Sequence, residues 1–379
     1  MQSTIELLNY TSDKGFIDQD DQQYLSSQWG ACVHQIHRDG VDIHDMDLIL
    51  IGCGERRGQN GTKSSSTGPD AIRKAFFKLH NWHPALKVGD IGNIIEGATL
   101  QDTRAALRTV LSEIHAMGKK ALVLGGSHDL TLQQYDVFRG SDTLTDLTIV
   151  DMLADIDESS ENRYDNYLME ALTQTPNYVR HFNLIGFQSY YVNPQLIETF
   201  DKLRFDCTRV GKARENLEWC EPAFRDSGMV SIDINAVRFS DAPANRLASP
   251  NGFYGDEICK ITRFAGMGSN LSSMGIYGYE PEHDTDEITA KLIAQMIWYF
   301  MDGLLIAKQE SPLDDRNQFL EYHLRFTDQD AYFLKSKHSN RWWMQLPDAQ
   351  FIPCTHQDYI TACNNEIPER WMRAVERLV

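Results

Sequence analysis

One histidine and three aspartates stand in three short motifs whose residue types could hold a divalent metal ion. The motifs read GGSHD at 125–129, DMLAD at 151–155 and SIDIN at 231–235. Each follows an apolar run typical of a buried parallel strand: ALVL at 121–124, LTIV at 147–150 and MV at 229–230. Imidazole nitrogens and carboxylate oxygens suit Mn²⁺ and similar cations. The candidate ligands are His128, Asp151, Asp155 and Asp233.

The order of these motifs predicts that the four side chains meet in space, because residues just past parallel strands converge on one edge of a sheet. The simpler alternatives are a buried histidine behind a Gly-Gly turn for His128 and helix N-caps for Asp151 and Asp155. A buried carboxylate cluster is costly without a cation, which favours metal binding. The same cluster could instead hold protons and no metal. Asp129 is expected to be a cap or a partner of His128.

The overall charge of the chain argues against nucleic acid and membrane partners. The 379 residues carry 36 Lys and Arg against 54 Asp and Glu, a net charge of −18, with no basic block. We see no membrane-length apolar stretch and no targeting segment. The seven cysteines are scattered and form no CxxC pair, which indicates reduced thiols rather than a disulfide framework or zinc ribbon. We therefore expect a cytoplasmic globular protein.

Alternating strand and helix signals predict an α/β fold with a mainly parallel sheet between helices. We predict a polar, helical N-terminal extension at 1–45, a catalytic domain at 46–308 and a small α+β extension at 309–379, packed on the same domain. LILIG at 48–52 reads as the first buried strand, followed by a glycine- and serine-rich loop from Gly54 to Gly68. In the extension, short antiparallel strands are expected near 322–326, 331–334 and 341–346, and a final helix at 368–378.

The motifs, in this order, resemble those of the ureohydrolase superfamily, which comprises arginases, agmatinases and formimidoylglutamases. GPDAIR at 68–73 and the late segment GYEPEHD at 278–284 add to the resemblance, which covers Leu48 to Leu305. The acidic residue after GGSH and the aromatic-rich C-terminal extension are similar to the formimidoylglutamase branch. The resemblance implies a three-layer α/β/α arginase-like fold. It also implies a binuclear manganese site that activates water to split the carbon–nitrogen bond of a linear amidine or guanidine.

Two positions depart from the metal-ligand pattern of that superfamily. The resemblance implies that one metal is held by His128, Asp151, Asp155 and Asp233, all of which are present. The second metal would need a histidine and an aspartate where this chain has Leu153 and Asn235. Leucine donates no electron pair, and asparagine offers only a neutral carbonyl oxygen. We therefore predict one Mn²⁺ per chain rather than two, with an empty site as the remaining alternative.

The substrate side departs as well. Gly278 occupies the position of a superfamily glutamate, and Glu280, two residues on, is our candidate replacement because i and i+2 share a strand face. Asp157 stands where formimidoylglutamases often carry an arginine, and an aspartate repels a dicarboxylate. Asp157 and Glu280 are thus the candidate substrate-binding residues, and no side chain is assigned as the catalytic group beyond a metal-bound water.

The predicted function is metal-dependent hydrolysis of a small linear amidine or guanidine by a homo-oligomer. The resemblance suggests formimidoylglutamate, cleaved to glutamate and formamide. The alternative is a catalytically silent member of the superfamily with a binding or regulatory role, which the missing ligands favour. A single-metal amide deacetylase is a more distant alternative, and the late segment at 278–284 argues against it.

Overall fold

Two β-sheets organise the computed structural model, which describes residues 7–13, 23–59, 67–157, 159–160, 162–326 and 329–378. The central sheet has ten strands, and a separate four-stranded sheet follows it in the chain. The strands of the central sheet are β1 (Thr11–Ser12), β2 (His34–Gln35), β3 (Leu48–Cys53), β4 (Val88–Ile94), β5 (Lys120–Gly125), β6 (Thr145–Val150), β7 (Val179–Phe187), β8 (Asp206–Arg209), β9 (Ser227–Asp233) and β10 (Ser273–Tyr277). Those of the second sheet are β11 (Phe319–Phe326), β12 (Gln329–Ser336), β13 (Trp342–Gln345) and β14 (Phe351–Cys354).

The α-helices of the described residues lie between these strands along the chain. They are α1 (Trp29–Cys32), α2 (Ile36–Asp39), α3 (Thr67–Phe76), α4 (Leu100–Ala116), α5 (Thr131–Gly140), α6 (Arg163–Thr173), α7 (Pro194–Lys202), α8 (Val210–Glu215), α9 (Glu221–Arg225), α10 (Gly255–Gly266), α11 (Ile288–Gln309), α12 (His356–Cys363) and α13 (Glu369–Leu378).

The central sheet is parallel except for β1, which runs antiparallel to β4. Its order is β1-β4-β3-β5-β10-β9-β6-β7-β8, with β2 also paired to β4. The inner strands β3, β6, β9 and β10 are buried along their whole length. Continuous burial explains why β3 and most of β6 read as apolar runs instead of alternating patterns, since both faces of the sheet are covered.

Helices cover both faces of the sheet and enclose two separate hydrophobic clusters. One cluster packs α3, α10 and α11 onto the sheet through residues such as Phe76, Ile258 and Ile293. The other packs α4, α5 and α6 onto the opposite face through residues such as Leu107 and Tyr135. The predicted three-layer α/β/α architecture is therefore confirmed.

Helix α11 belongs to the core, although by length and composition it is one helix that could cross a membrane. Lys291 and Asp302 interrupt its apolar sequence, so the prediction that no uninterrupted apolar stretch reaches membrane length is compatible with this helix. Its buried residues include Ile293, Ile297 and Phe300, which join the cluster with α3 and α10. A buried core helix of a soluble protein has this same composition.

The C-terminal extension is a small antiparallel sheet with two helices. The sheet and the final helix agree with the prediction, whereas helix α12 was not predicted. Its own core includes Phe333, Trp342 and Met344. The ring of Trp342 stacks on Tyr322 and Tyr359, at centroid distances of 5.1 and 4.8 Å. Trp342 is thus a core residue of the extension.

The N-terminal extension, which was predicted to be helical, contains strands as well as helices. Its described residues form the two short helices α1 and α2 and the two short strands β1 and β2, which pair with β4. This segment therefore extends the central sheet, because short polar stretches complete the edge of a sheet without showing a strand pattern of their own. Residues 1–6 and 14–22, and residues 60–66 of the predicted loop after β3, lie outside the described residues.

Candidate metal centre

The candidate ligands follow the carboxyl ends of three strands that lie close together in the sheet. His128 begins a short 3₁₀ turn after β5, Asp151 follows β6 directly, and Asp233 is the last residue of β9. The strand order β5-β10-β9-β6 puts these ends within three strand spacings. Parallel direction then brings the side chains to one edge of the sheet.

The four side chains meet around one nitrogen atom. His128 Nδ1 lies 2.8 Å from Asp151 Oδ2, 3.1 Å from Asp155 Oδ2 and 3.5 Å from Asp233 Oδ2. His128, Asp151 and Asp233 each offer a ligand atom, and these atoms lie within 4.8 Å of one another. Three of the four side chains are about 1% exposed, and Asp155 is 10% exposed. The predicted convergence is present, and metal ligation by these residues stays a prediction.

The electrostatics of the cluster fit a cation. Burial and the neighbouring Asp155 raise the pKa of Asp151 to about 6, and burial also raises the pKa of Asp233 well above its usual value. Burial opposes charge on His128, but its close contacts with Asp151 and Asp155 outweigh burial and hold its pKa well above 6.5. Asp151 Oδ2 is buried, and its 2.8 Å contact with His128 Nδ1 lacks the geometry of a hydrogen bond. A divalent cation would neutralise two of the three carboxylates and satisfy that oxygen.

The second nitrogen of His128 is held by other residues. His128 Nε2 lies 2.9 Å from Ser231 Oγ, which is itself 2.6 Å from Thr131 Oγ1. The hydroxyl of Tyr167, on α6, lies 3.3 Å from the same nitrogen. Contacts of this kind fix the orientation of a histidine ligand and thereby tune its affinity for metal. Ser231 was visible in the sequence as part of its motif, but nothing in the sequence singled out Tyr167.

Asn235 and Leu153 stand at the positions expected for ligands of the second metal, but both form hydrogen bonds with residues of the turn after β6. Asn235 Oδ1 accepts a hydrogen bond from Met152 N at 3.2 Å, so its carbonyl oxygen ties the turn after β9 to the turn after β6. The amide of Leu153 donates to Asp151 Oδ1 at 2.8 Å, and its side chain is apolar. Both contacts stabilise the turn that carries Asp151. Neither residue supplies a charged ligand for a second metal ion.

A buried asparagine in the loop after β9 completes the surroundings of Asp233. Asn245 Nδ2 donates to Asp233 Oδ1 at 3.2 Å and to Gly278 O at 2.9 Å. Gly278 has φ of 78°, and a Cβ there would lie 2.4 Å from Asp233 Oδ1. No periodicity or motif marks Asn245, which explains why sequence reasoning missed it.

The predicted substrate residues do not join this cluster. The Glu280 side chain is 2% exposed and lies 2.6 Å from Arg246 Nε and 3.3 Å from Arg56 Nη2, while its Oε2 has no hydrogen-bond partner. Asp157 is exposed, and its carboxylate accepts from Ser159 N and Ser159 Oγ. Among the described residues, neither forms a hydrogen bond with His128, so their roles in substrate binding stay predictions.

Asp129 differs from the expected cap or partner of His128. Its carboxylate forms a buried ion pair with Arg104 of α4. The residue therefore anchors the 125–129 motif to the helix layer, because the turn that aims His128 inward directs Asp129 towards α4. Its Oδ1 has no hydrogen-bond partner.

Fold and site together define a hydrolase class, and comparison with known proteins identifies it. Residues 46–302, more than half of the chain, match the arginase family, and the chain belongs to that family. The predicted superfamily and the prediction of a hydrolase that acts on carbon–nitrogen bonds are therefore confirmed.

The relatives found include several formimidoylglutamases. The formimidoylglutamase of Staphylococcus haemolyticus is 23% identical over 283 residues, covering 66% of this chain and 85% of its own. The Trypanosoma cruzi formiminoglutamase with Mn²⁺ has a TM-score of 0.65 and 19% identity, covering 73% of this chain and 98% of its own. The Bacillus subtilis formimidoylglutamase has a TM-score of 0.66 and 14% identity, covering 80% and 99%. At these identities the structural likeness establishes the fold.

Proposed function

We propose that this protein hydrolyses a carbon–nitrogen bond of a small linear amidine or guanidine, with one divalent cation held by His128, Asp151, Asp155 and Asp233. The observation that carries the proposal is the approach of three carboxylates to His128 Nδ1, within 3.5 Å, in a buried site. When bound, such a cation supplies Lewis acidity that makes water nucleophilic at neutral pH. Manganese is the proposed ion, as in the Trypanosoma cruzi relative.

The surrounding residues would keep the ligands in position. Ser231 and Tyr167 orient the imidazole of His128. Asn245 and the backbone amide of Asn235 hold Asp233 through its Oδ1. Asp233 Oδ2, the oxygen nearer to His128, therefore stays directed into the cluster.

Formimidoylglutamate is the proposed substrate, because formimidoylglutamases are among the relatives found. The test is release of product from formimidoylglutamate, arginine, agmatine and guanidinobutyrate by the Mn²⁺-loaded chain. We expect turnover of one of the four, with Asp233→Asn abolishing it. Asp136→Asn, which alters only a half-buried ion pair with Arg139 on α5, should leave it unchanged. Turnover that survives Asp233→Asn would contradict the proposed site.

Metal content tests the site independently of activity. Elemental analysis after Mn²⁺ loading and desalting should give one ion per chain. His128→Asn and Asp233→Asn should remove it, and Asp136→Asn should retain it. Two tightly held ions, or none, would refute the single-ion proposal.

A catalytically silent role is the second candidate, and the position of Glu280 favours it. Glu280 already forms ion pairs with Arg246 and Arg56. Its carboxylate is therefore a poor replacement for the superfamily glutamate, whose sequence position is taken by Gly278 in this chain. In that case the chain would bind Mn²⁺ and leave all four substrates intact. Any measurable turnover lost in Asp233→Asn would exclude this role.

We further propose that the protein acts as a homo-oligomer in the cytoplasm. All seven cysteines are free thiols, which fits a reducing compartment. Fractionation of cells that express the full chain tests the location, and recovery outside the cytoplasmic fraction would contradict it.

A further inference from the structure

Two buried polar side chains from different elements meet beside the candidate ligands. Gln59 lies in the loop after β3, and Tyr164 lies in the first turn of α6. Gln59 Nε2 donates to the hydroxyl of Tyr164 at 3.2 Å, and the two residues are 7% and 8% exposed. Neither belongs to the proposed set of metal ligands, so this buried polar pair needs another explanation.

The loop end of the pair lies against the turn that carries His128. Gly58, immediately before Gln59, is so close to this turn that a Cβ there would lie 2.6 Å from Asp129 Oδ2 and 3.0 Å from Arg104 Nη2. Those two side chains form a buried ion pair with each other. The backbone that carries Gln59 is therefore packed beside the motif that supplies His128.

The helix end of the pair lies on the side of α6 that faces the cluster. Tyr164 is three residues before Tyr167, so the two side chains share one face of the helix. The hydroxyl of Tyr167 lies 3.3 Å from His128 Nε2. Burial raises the pKa of Tyr164 well above its usual value, and the nearby charges of Asp233 and Asp155 raise it further. The phenol of Tyr164 therefore keeps its proton at neutral pH.

The hydroxyl of Tyr164 can donate that proton in a hydrogen bond. Its oxygen accepts from Gln59 Nε2, and among the described residues no group accepts its hydrogen. A buried hydroxyl that donates to nothing is unfavourable, so buried hydroxyls normally have an acceptor. We expect this acceptor to be a group of the substrate, because the hydroxyl lies beside the cluster.

We propose that Tyr164 donates this hydrogen bond to the nitrogen that leaves when the carbon–nitrogen bond breaks, and that Gln59 positions the tyrosine. The inference rests on the proposed hydrolysis. An amidinium or guanidinium ion offers N–H donors only, so the intact substrate has no acceptor for the tyrosine. Attack of water on the carbon makes the leaving nitrogen pyramidal and gives it a lone pair, which accepts. An interaction formed only as the reaction proceeds raises kcat without changing KM.

The reaction balances without any change in the tyrosine. The oxygen of water bonds to the amidine carbon, and the electron pair of the broken carbon–nitrogen bond stays on the nitrogen. Both hydrogens of the water end on that nitrogen, which departs as an ammonium ion. The carbon keeps the oxygen and its other nitrogen as a neutral amide or urea. Tyr164 therefore stabilises the leaving nitrogen by donating a hydrogen bond, and it retains its proton.

The test compares Tyr164→Phe with the unaltered chain, both loaded with Mn²⁺, on whichever of the four substrates is hydrolysed. We expect kcat to fall by about 100-fold, as for other donors directed at developing charge, with KM within about twofold. Manganese content should stay at one ion per chain. Gln59→Leu, which removes only the positioning contact, should lower kcat by a smaller factor and also leave KM unchanged.

Tyr135→Phe is the matched control, because it also removes a buried tyrosine hydroxyl. That hydroxyl, on α5, accepts from Tyr178 N at 3.0 Å. Its loss should leave kcat unchanged. Thermal unfolding of each variant confirms that a loss of turnover is not a loss of fold.

The possible results separate this inference from the proposed function. An unaltered kcat in Tyr164→Phe, or a loss of kcat/KM that lies wholly in KM, would overturn the role of Tyr164 and leave the proposed hydrolysis intact. An equal loss of kcat in Tyr135→Phe would also overturn it, because any buried hydroxyl would then have the same effect. An unaltered, Mn²⁺-loaded chain that hydrolyses none of the four substrates would overturn both.

Discussion

At the scale of single residues, two substitutions in otherwise intact motifs determine how many ions the site can hold. The side chain of Leu153 has no atom that can bind a metal, and the carbonyl oxygen of Asn235 already accepts a hydrogen bond from Met152 N. An aspartate at 235 could keep that hydrogen bond and still present a second oxygen. The first set of ligands does not depend on either side chain for its charge.

We expect the double variant Leu153→His with Asn235→Asp to raise the manganese content from one ion to two per chain. Elemental analysis after loading measures this, with Asn235→Gln as a control that adds no charge. Added carboxylate charge in a buried cluster should also lower the stability of the metal-free chain. A content that stays at one ion would show that the motifs are assigned to the wrong positions.

Gly278 lets the chain pass close to Asp233, and its replacement should disturb the site. Gly278→Ala adds strain at positive φ, about 1 to 2 kcal/mol, and a Cβ that meets Asp233 Oδ1. Gly118→Ala is the matched control, since Gly118 has φ of 67° and nothing within 4 Å of its Cβ position. Urea unfolding should show the larger loss for Gly278→Ala, and only this variant should bind less manganese. Equal effects would mean that strain alone matters.

The four candidate ligands were predictable from sequence, whereas the residues that hold them were not. His128, Asp151, Asp155 and Asp233 follow recognisable apolar strands at short, fixed spacings. Asn245 and Tyr167 come from a loop and a helix that reach the site only through the tertiary fold. Local sequence contains no signal for such contacts.

At the scale of elements, helix α6 presents two tyrosines to the site one turn apart. The hydroxyl of Tyr167 contacts His128, while the hydroxyl of Tyr164 accepts from Gln59 Nε2 at 3.2 Å. Tyr167→Phe should weaken manganese affinity by about 10-fold, as loss of a ligand-orienting contact does. Tyr164→Phe, the matched control, should change the affinity less. Calorimetric titration measures both, and equal affinities would exclude an orienting role for Tyr167.

Helix α13 covers the outer strand β8 through arginine contacts with one aspartate. Arg373 Nε lies 2.8 Å from Asp206 Oδ1, and His181 Nε2 lies 2.9 Å from Asp206 Oδ2. Burial alone would raise the pKa of Asp206, but its partners, led by His181, hold it well below the usual range. The folded state therefore binds the proton more weakly than the unfolded state does.

The stability contributed by Asp206 should be present at neutral pH and lost in acid. It is complete above the unfolded pKa of about 3.9 and declines as pH falls towards the lower folded value. Asp206→Asn should cost about 1 to 2 kcal/mol at pH 7, and the difference should narrow below pH 4. Urea unfolding across this range measures it, with the exposed Asp201→Asn as control. A difference that grows in acid would contradict the assignment.

Some elements of the sheet escaped sequence analysis for physical reasons. Strand β10 has only five residues, with Gly275 among them, although it lies at the centre of the sheet. Strand β4 contains two glycines and the buried Asp90, which pairs with Arg73 of α3. Neither strand has the apolar run that marked β3, β5 and β6.

At the scale of the whole molecule, one arginine joins the C-terminal extension to the main domain. Arg225 of α9 pairs with Glu221 at 2.5 Å, donates to the carbonyl oxygens of Trp342 and Cys354, and lies 4.6 Å over the ring of Trp343. The ion pair is about 5% exposed on each side. Two units that form separate hydrophobic clusters thus share a buried polar contact.

Arg225→Met should destabilise the protein by about 3 to 5 kcal/mol, because it leaves the buried Glu221 with only the more distant Arg341, 3.9 Å away. The C-terminal extension should also become more sensitive to limited proteolysis. Arg139→Met, which breaks a more exposed pair with Asp136, is the control and should change little. An extension that resists proteolysis equally in both variants would mean that its other contacts, such as Arg373 with Asp206, are enough to attach it.

The central position of β10 has a consequence for the order in which the protein matures. Strand β10 separates β5 from β9, yet it comes after both in the chain. During synthesis, the segments that carry His128 and Asp233 must wait for residues 273–277 before their strands can take up their final spacing. We therefore expect that manganese binds only after β10 has joined the sheet, and that it does not guide the earlier steps of folding.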